Sequence, residues 1–298
     1  MFVNEIISYG IFFDLWSTGI PKSNSFNPVP FQLSGIHISY SVFIAFTILL
    51  SLYKFKHISN KYIKLVFLIF LITMSMNLFI SIGRTGQFSL LLTLIILIFI
   101  YYYKNIKKVV FLIISLFSLF IFAYYNINTF NIRINQGIDD IKNVIYNHDI
   151  KHSSVGDRLL AYHAIIYIFE PKNILFGVGI GDKEEYVKKR LHENKYPYKQ
   201  IKSFWEYGRL HNMYLEILIS NGIIGLFLLL FLFYSLFKIK IKNTFIKYIS
   251  YITSLVFLFV AFSCDIFFFY ELMLLFGLFI SIVIVQYNHE QKIYNKNI

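Results

Sequence analysis

Arg209-Leu-His-Asn-Met-Tyr-Leu-Glu-Ile-Leu-Ile-Ser-Asn-Gly-Ile-Ile-Gly225 leads a polar stretch straight into an apolar run that continues to Phe237. An Arg, a titratable His and an Asn therefore stand at the mouth of a segment long enough to cross a membrane. Polar side chains at that depth are expensive to desolvate, so each calls for a buried partner, a substrate or a cofactor.

The rest of the chain has the same character. Of 298 residues, 57% are hydrophobic and 15% charged, against about 25% charged in a soluble domain. The chain reads as an all-α polytopic membrane protein, because an isolated segment in lipid must satisfy its own backbone hydrogen bonds. Seven spans are expected, at roughly 36–53, 64–83, 86–103, 109–126, 212–237, 246–264 and 266–287. They divide the chain into an outer N-terminal segment 1–35, a four-helix region 36–126, a large loop 127–211, a three-helix region 212–287 and a tail 288–298.

Lysines orient this bundle. Lys54, Lys56 and Lys61 separate the first two spans, Lys104, Lys107 and Lys108 the third and fourth, and Lys238, Lys240 and Lys242 the fifth and sixth. No acid interrupts these clusters, and all fall on one side, which the positive-inside rule makes cytoplasmic. The 127–211 loop then lies outside, and long loops translocate largely regardless of charge. It holds ten of the sixteen acidic residues, so the net charge of +12 is topological lysine plus a mixed-charge loop. No basic-aromatic patch beyond these points to nucleic acid.

The lone Cys264 excludes an intrachain disulfide framework and reads as a small hydrophobe. Met1 to Ile20 has Glu5 and Asp14 but no basic start, so it does not read as a cleavable signal. Ile6 to Ile20 reads instead as an interfacial helix or as the end of a longer one. Pro21 to Pro30 is a turn-rich stretch. In the loop, apolar periodicity predicts a helix over 155–169, ended by Pro171, and a second over 182–191 with Asp182 as its cap.

Several constellations carry chemistry. Arg84, in Ser81-Ile-Gly-Arg-Thr-Gly86, is either a phosphate clamp or a snorkelling anchor at a helix end. Arg158 either reaches a lipid-linked pyrophosphate or pairs with Asp157 or Glu170. Gly177-Val-Gly-Ile-Gly181 lacks the surrounding unit of a dinucleotide fingerprint and reads as a glycine-rich turn. His148 and His152 at helical spacing, beside Asp139-Asp140, have no third ligand at motif spacing, and no metal or other cofactor is expected. His211 is different in kind: imidazole titrates near neutral pH and can take a proton from a hydroxyl nucleophile. The alternative is a helix-capping His. Asn212 can orient a neighbour, and Glu216 follows one turn later on the same face.

In order, Arg84-Thr-Gly between two spans, Arg158, Tyr162, Pro171 and Gly177-Val-Gly179 in a long outer loop, then His211-Asn212-x-Tyr-Leu entering a span with Gly222-Ile-Ile-Gly225, resemble the O-antigen ligase and O-antigen polymerase superfamily. The likeness runs from about Ser25 to Leu230, with Phe26-Asn-Pro-Val-Pro30 similar to the family's Asn-Pro turn. It departs where Tyr162 replaces the usual tryptophan, where Pro171 stands further than expected from Gly177, and in span number, since members commonly carry ten to twelve spans against the seven expected here, about four more at the N-terminal end.

The resemblance implies a metal-independent glycosyltransferase of GT-C-like architecture in the bacterial inner membrane, its large loop periplasmic. Such enzymes move a glycan from undecaprenyl pyrophosphate to a sugar hydroxyl. Carried over by position, Arg84 and Arg158 hold the donor pyrophosphate and His211 serves the acceptor, with Arg209, Asn212, Tyr162 and Glu216 as substrate-binding candidates. The acceptor is a second lipid-linked repeat for a polymerase, lipid A core for a ligase, or a protein hydroxyl in a third branch; nothing here marks lipid A core, which favours the polymerase. A chain-length regulator is a further expected partner class. A lipid-linked sugar transporter is the alternative from another class, disfavoured because the polar groups gather at one face without repeat symmetry.

Overall fold

The computed structural model describes residues 1–12, 15, 37–81, 83–143, 156–195 and 210–296. The Asn-Pro turn, His148, His152 and Arg209 lie outside them. Every regular element among the described residues is helical: α1 (Phe2–Phe12), α2 (His37–His57), α3 (Lys61–Ile80), α4 (Arg84–Tyr102), α5 (Ile106–Asn126), α6 (Asn128–Lys142), α7 (Gly156–Ile168), α8 (Lys183–Glu193), α9 (Met213–Lys238), α10 (Thr244–Val260) and α11 (Tyr270–Lys296), with a 3₁₀ turn at Pro171–Asn173.

Six of these helices are long and apolar enough to span a membrane: α2, α3, α4, α5, α9 and α11. The remaining expected span is shorter than its sequence suggested. Expected at 246–264, it ends at Val260, leaving the 17-residue α10, at the lower limit of what crosses a ~30 Å core. The apolar run continues through Ala261, Phe262, Ser263 and Cys264, but these residues form a turn, and the first three give their carbonyls to Met213, Asn212 and Arg158. Three helices start alike on the lysine-rich connections: Asn60, Asn105 and Asn243 each accept backbone N–H bonds from the first turn of α3, α5 and α10.

The chain forms two compact units. The first comprises Met1–Ile134, Ile239–Val260 and Phe269–Ile298. Within it α2 is the inner helix, packed on α3, α4 and α10, with Val42, Ile44, Ala45 and Leu49 fully buried. The α2–α4 crossing is close because Gly86 has no side chain: a Cβ there would stand 2.2 Å from the Ser41 carbonyl oxygen. Small residues allow such approach between membrane helices. By contrast α3 and α5 turn Leu65, Val66, Ile69, Phe111 and Phe122 outward, as lipid-facing helices do.

The start of the chain packs through polar side chains. α1 buries its polar side, Asn4, Glu5 and Ser8. Asn77 of α3 donates through its amide to Glu5 at 2.6 Å and to the Tyr40 hydroxyl of α2 at 2.9 Å, and Asn4 donates to the same hydroxyl at 3.0 Å.

The second unit comprises Asn135–Lys238 and Ala261–Phe268. Its core joins Leu160, Ala161, Ala164 and Ile168 of α7 to Val187 and Leu191 of α8, Leu210, and Ile219 of α9. The helix expected over 155–169 is thus α7. Asp182 stands at the start of α8 but makes no side-chain capping bond.

Candidate functional site

Burying Leu160, Ala161, Ala164 and Ile168 on α8 fixes the rotation of α7. Arg158 and Tyr162 share another face, being one turn apart. Arg158 Nε donates to the Ser263 carbonyl at 3.0 Å. The hydroxyl of the exposed Tyr162 accepts from Asn212 Nδ2 at 2.8 Å. Glu170, the alternative partner for Arg158, instead meets Lys172 at 3.1 Å and Arg190 at 3.2 Å. The bond from Lys172 holds its carboxyl below the usual carboxylate range, and Arg190 adds to this.

Asn212 is 1% exposed, and its side chain serves three elements at once. Oδ1 accepts the Leu215 N–H at 3.1 Å and so caps α9, while Nδ2 donates to Tyr162 and, at 3.2 Å, to the Phe262 carbonyl. The Met213 N–H donates to the Ala261 carbonyl at 2.9 Å. Successive carbonyls of the 261–263 turn are therefore gripped by α7 and by the start of α9. The adjacent Cys264 is buried, which pushes its thiol up to about 12. It behaves as the small hydrophobe its sequence suggested.

Glu216 is buried one turn into α9. Its carboxylate forms an ion pair with Lys183 of α8 and accepts the Leu210 N–H at 2.6 Å. His211 lies between these anchored neighbours, with Leu210 and Asn212 both buried and its own side chain half-buried. Its backbone is left-handed, φ +51°, a conformation uncommon outside glycine but less so for His. Such strain persists only when the surroundings over-determine it, and it gathers at functional sites.

Below this cap α9 is broken. Gly222 has φ +66° and ψ −165°, which interrupts the helical ladder, and the 174–179 segment takes up the released groups. Val178 and Gly179 N–H donate to the Ile219 and Ser220 carbonyls, both at 2.9 Å, and Ile223 and Ile224 N–H donate to the Ile174 and Leu175 carbonyls at 2.8 and 3.3 Å. A Cβ at Gly222 would stand 2.3 Å from Leu175 backbone, and one at Gly177 2.4 Å from Ser220 backbone. The glycine-rich turn is thus a clamp on a broken helix.

A model of the O-antigen ligase family matches residues 69–230. The chain belongs to the O-antigen ligase family. Its members are glycosyltransferase-like membrane enzymes of ligase and polymerase type. The match takes in the α3–α4 turn, α7, the clamp and the capped, broken first half of α9. No curated protein matches the chain.

Of the expected site residues, this family member brings Arg158, Tyr162, His211, Asn212 and Glu216 into one unit, joined through the 261–263 turn and Lys183. Arg84 belongs to the first unit, where it opens α4 just after Gly83. There the positive end of the helix dipole and the guanidinium both favour an anion. Gln87 closes that turn by donating to the Leu78 carbonyl at 2.8 Å and to the Ser81 carbonyl at 3.3 Å. Among the described residues no cluster of three or more His, Cys, Asp or Glu is placed to hold a metal.

Sequence reading missed Lys183 and the Phe262–Ser263 carbonyls. A buried Glu216 signals that some cation must meet it, but nothing in the chain says which lysine.

Asn212→Asp keeps the capping oxygen and removes the donor that faces two acceptors. Leaving a buried carbonyl opposite a carboxylate costs about 1–3 kcal/mol, so the melting temperature should fall by about 3–10 °C. Thermal unfolding of the purified variant measures it, and an unchanged midpoint would show that the three-way junction contributes no stability.

Proposed function

We propose that the protein transfers a glycan from undecaprenyl pyrophosphate to a sugar hydroxyl at the outer face of the bacterial inner membrane, acting as a surface-polysaccharide polymerase. The observation that carries this reading is His211: a proton-accepting side chain held by strained backbone between two buried, hydrogen-bonded neighbours, in the same unit as a fixed Arg158. The lysine-rich helix ends lie in the cytoplasm by the positive-inside rule, which puts the 127–211 loop and the start of α9 outside.

In this reading the acceptor hydroxyl oxygen bonds to the anomeric carbon of the donor glycan. The bond from that carbon to the pyrophosphate oxygen breaks with its electron pair, and His211 takes the hydroxyl proton. Charge grows on the departing pyrophosphate, where preorganised guanidiniums stabilise the transition state more than the ground state. Arg158 is assigned to that role within the second unit and stands in for a metal; Arg84 carries the same assignment from the family resemblance alone. Tyr162, Asn212 and Glu216 hold the surrounding geometry; Arg209 is assigned to substrate binding by its place next to His211.

The ligase reading uses the same donor chemistry and differs in acceptor. Two measurements test the proposal. Purified protein given a lipid-linked single repeat should lengthen it and release undecaprenyl pyrophosphate; a transporter would yield no new glycosidic bond. A deletion strain should lose long chains while single repeats remain on lipid A. Loss of all attached glycan, with polymer accumulating on the carrier, would make the protein a ligase.

A further inference from the structure

In the first unit a cavity of about 440 Å³ opens among the C-terminal ends of α2 and α4 and the middle of α5. Its volume falls within the roughly 300–1,000 Å³ of small-molecule sites. Leu94 and Leu97 of α4 and Leu112, Leu116 and Leu119 of α5 make much of its wall, beside Tyr53, Tyr101 and Ser115, so the interior suits a hydrocarbon chain.

The rim has the opposite character. Lys56 and His57 line it from α2 and Tyr102 from α4, and the Lys108 ammonium lies 4.1 Å from the centre of the Tyr102 ring. His57 Nδ1 stands 2.8 Å from the Tyr53 carbonyl. Because a carbonyl only accepts, Nδ1 carries the proton and Nε2 is left for the rim. None of the described residues lining the cavity is acidic.

This end of the unit is one side of the bundle. Tyr53 bonds through its hydroxyl to Thr244 at the start of α10, and Glu290 near the end of α11 accepts the Lys242 and Asn243 N–H groups. Lysines from two connections thus border an apolar cleft at interfacial depth, with tyrosines at the level where amphipathic rings settle. Basic pockets between membrane helices suit anionic head groups.

We propose that this cleft binds one phospholipid with an anionic head group, its acyl chain between α4 and α5 and its phosphate on Lys56 and Lys108. Charge decides the occupant: the hydrocarbon wall would take any lipid, whereas a cationic rim without acids selects a net negative head group over a zwitterionic one. The site is in the first unit and does not depend on the glycosyl-transfer reading.

The test titrates the purified full-length chain with dioleoyl phosphatidylglycerol or dioleoyl phosphatidylcholine and counts bound lipid by native mass spectrometry. Phosphatidylglycerol should bind at least about tenfold more tightly, and added salt should weaken it. The double variant K56Q/K108Q should lose that preference, and Ser115→Trp, which fills the cleft from α5, should abolish binding of both lipids. Lys189→Gln on α8 should change nothing. Equal binding of the two lipids, or binding that survives both cleft variants, overturns the proposal. So does displacement of phosphatidylglycerol by substoichiometric polyprenyl phosphate, which would make the cleft a carrier-lipid site. Each variant decides alone provided it elutes as wild type in size exclusion.

Discussion

His211→Ala is expected to lower glycan transfer by about a hundredfold or more, the scale of a lost general base, equal to about 3 kcal/mol or more of transition-state stabilisation. A positioned imidazole is worth this much only if the backbone delivers it to one place. Here Leu210 is tied through its N–H to Glu216, Asn212 is tied through its amide to Tyr162 and Phe262, and the residue between them is held at φ +51°. Alanine pays a steric penalty at that angle, on the order of 1–2 kcal/mol, so lost activity could reflect a distorted turn rather than lost chemistry. His211→Asn separates the two, since Asn tolerates the left-handed region but cannot take a proton. Loss of transfer in both variants, with the Asn variant melting near wild type, assigns the effect to the imidazole. Wild-type turnover in His211→Asn would remove His211 from the chemistry, whatever the alanine variant does.

The parts of this protein that were legible in its sequence are those governed by period and length. The apolar stretches gave α2 to α5, α9 and α11 because hydrocarbon thickness fixes how long each must be, and α7 followed from the repeat of Leu159, Leu160, Ile165 and Ile166. What escaped depends on residues far apart in the chain. α10 ends at Val260 because the next residues give their carbonyls to Met213, Asn212 and Arg158, and hydropathy carries no trace of such partners. α1 turned its polar side inward for a similar reason: Asn4 and Glu5 match Tyr40 and Asn77, a complementarity that no local pattern records. The site divides along the same line. His211 and Asn212 were visible as costly polar groups at the mouth of a membrane segment and Arg158 as a cation opening a loop helix, whereas Lys183 and the 261–263 carbonyls were visible only as the partners those groups require. The glycines of 177–181 and 222–225 could be read as turn and packing positions separately. That the two segments interlock depends on a crossing that neither segment's own sequence records.

That interlock makes Gly222→Ala one of the two substitutions in it expected to harm folding most. φ +66° with ψ −165° is a region open essentially to glycine alone, where another residue costs about 1–3 kcal/mol in strain. The added methyl would also sit 2.3 Å from Leu175 backbone, so the loop segment must leave, and with it the four backbone hydrogen bonds that join it to α9. Together these should exceed about 4 kcal/mol, the range of exceptional single substitutions. Gly177→Ala meets the same crossing from the loop side, 2.4 Å from Ser220, and should be equally severe. The neighbouring glycines grade the argument. Gly179, at φ +93° with only the Asp182 carboxylate nearby at 3.8 Å, should show backbone strain without a clash, and Gly181, with nothing within 4 Å and no positive φ, should be nearly silent. Melting midpoints in the order Gly181→Ala, Gly179→Ala, then Gly177→Ala and Gly222→Ala, accompanied by proteolysis within 174–179 in the last two, would establish the clamp. A midpoint for Gly222→Ala equal to that of Gly181→Ala would mean the break in α9 closes without cost. In that case the first half of α9, which carries Asn212 at its cap and Glu216 one turn in, is not held in place by the loop, and the strain at His211 must be sustained by the 261–263 turn and the Leu210–Glu216 bond.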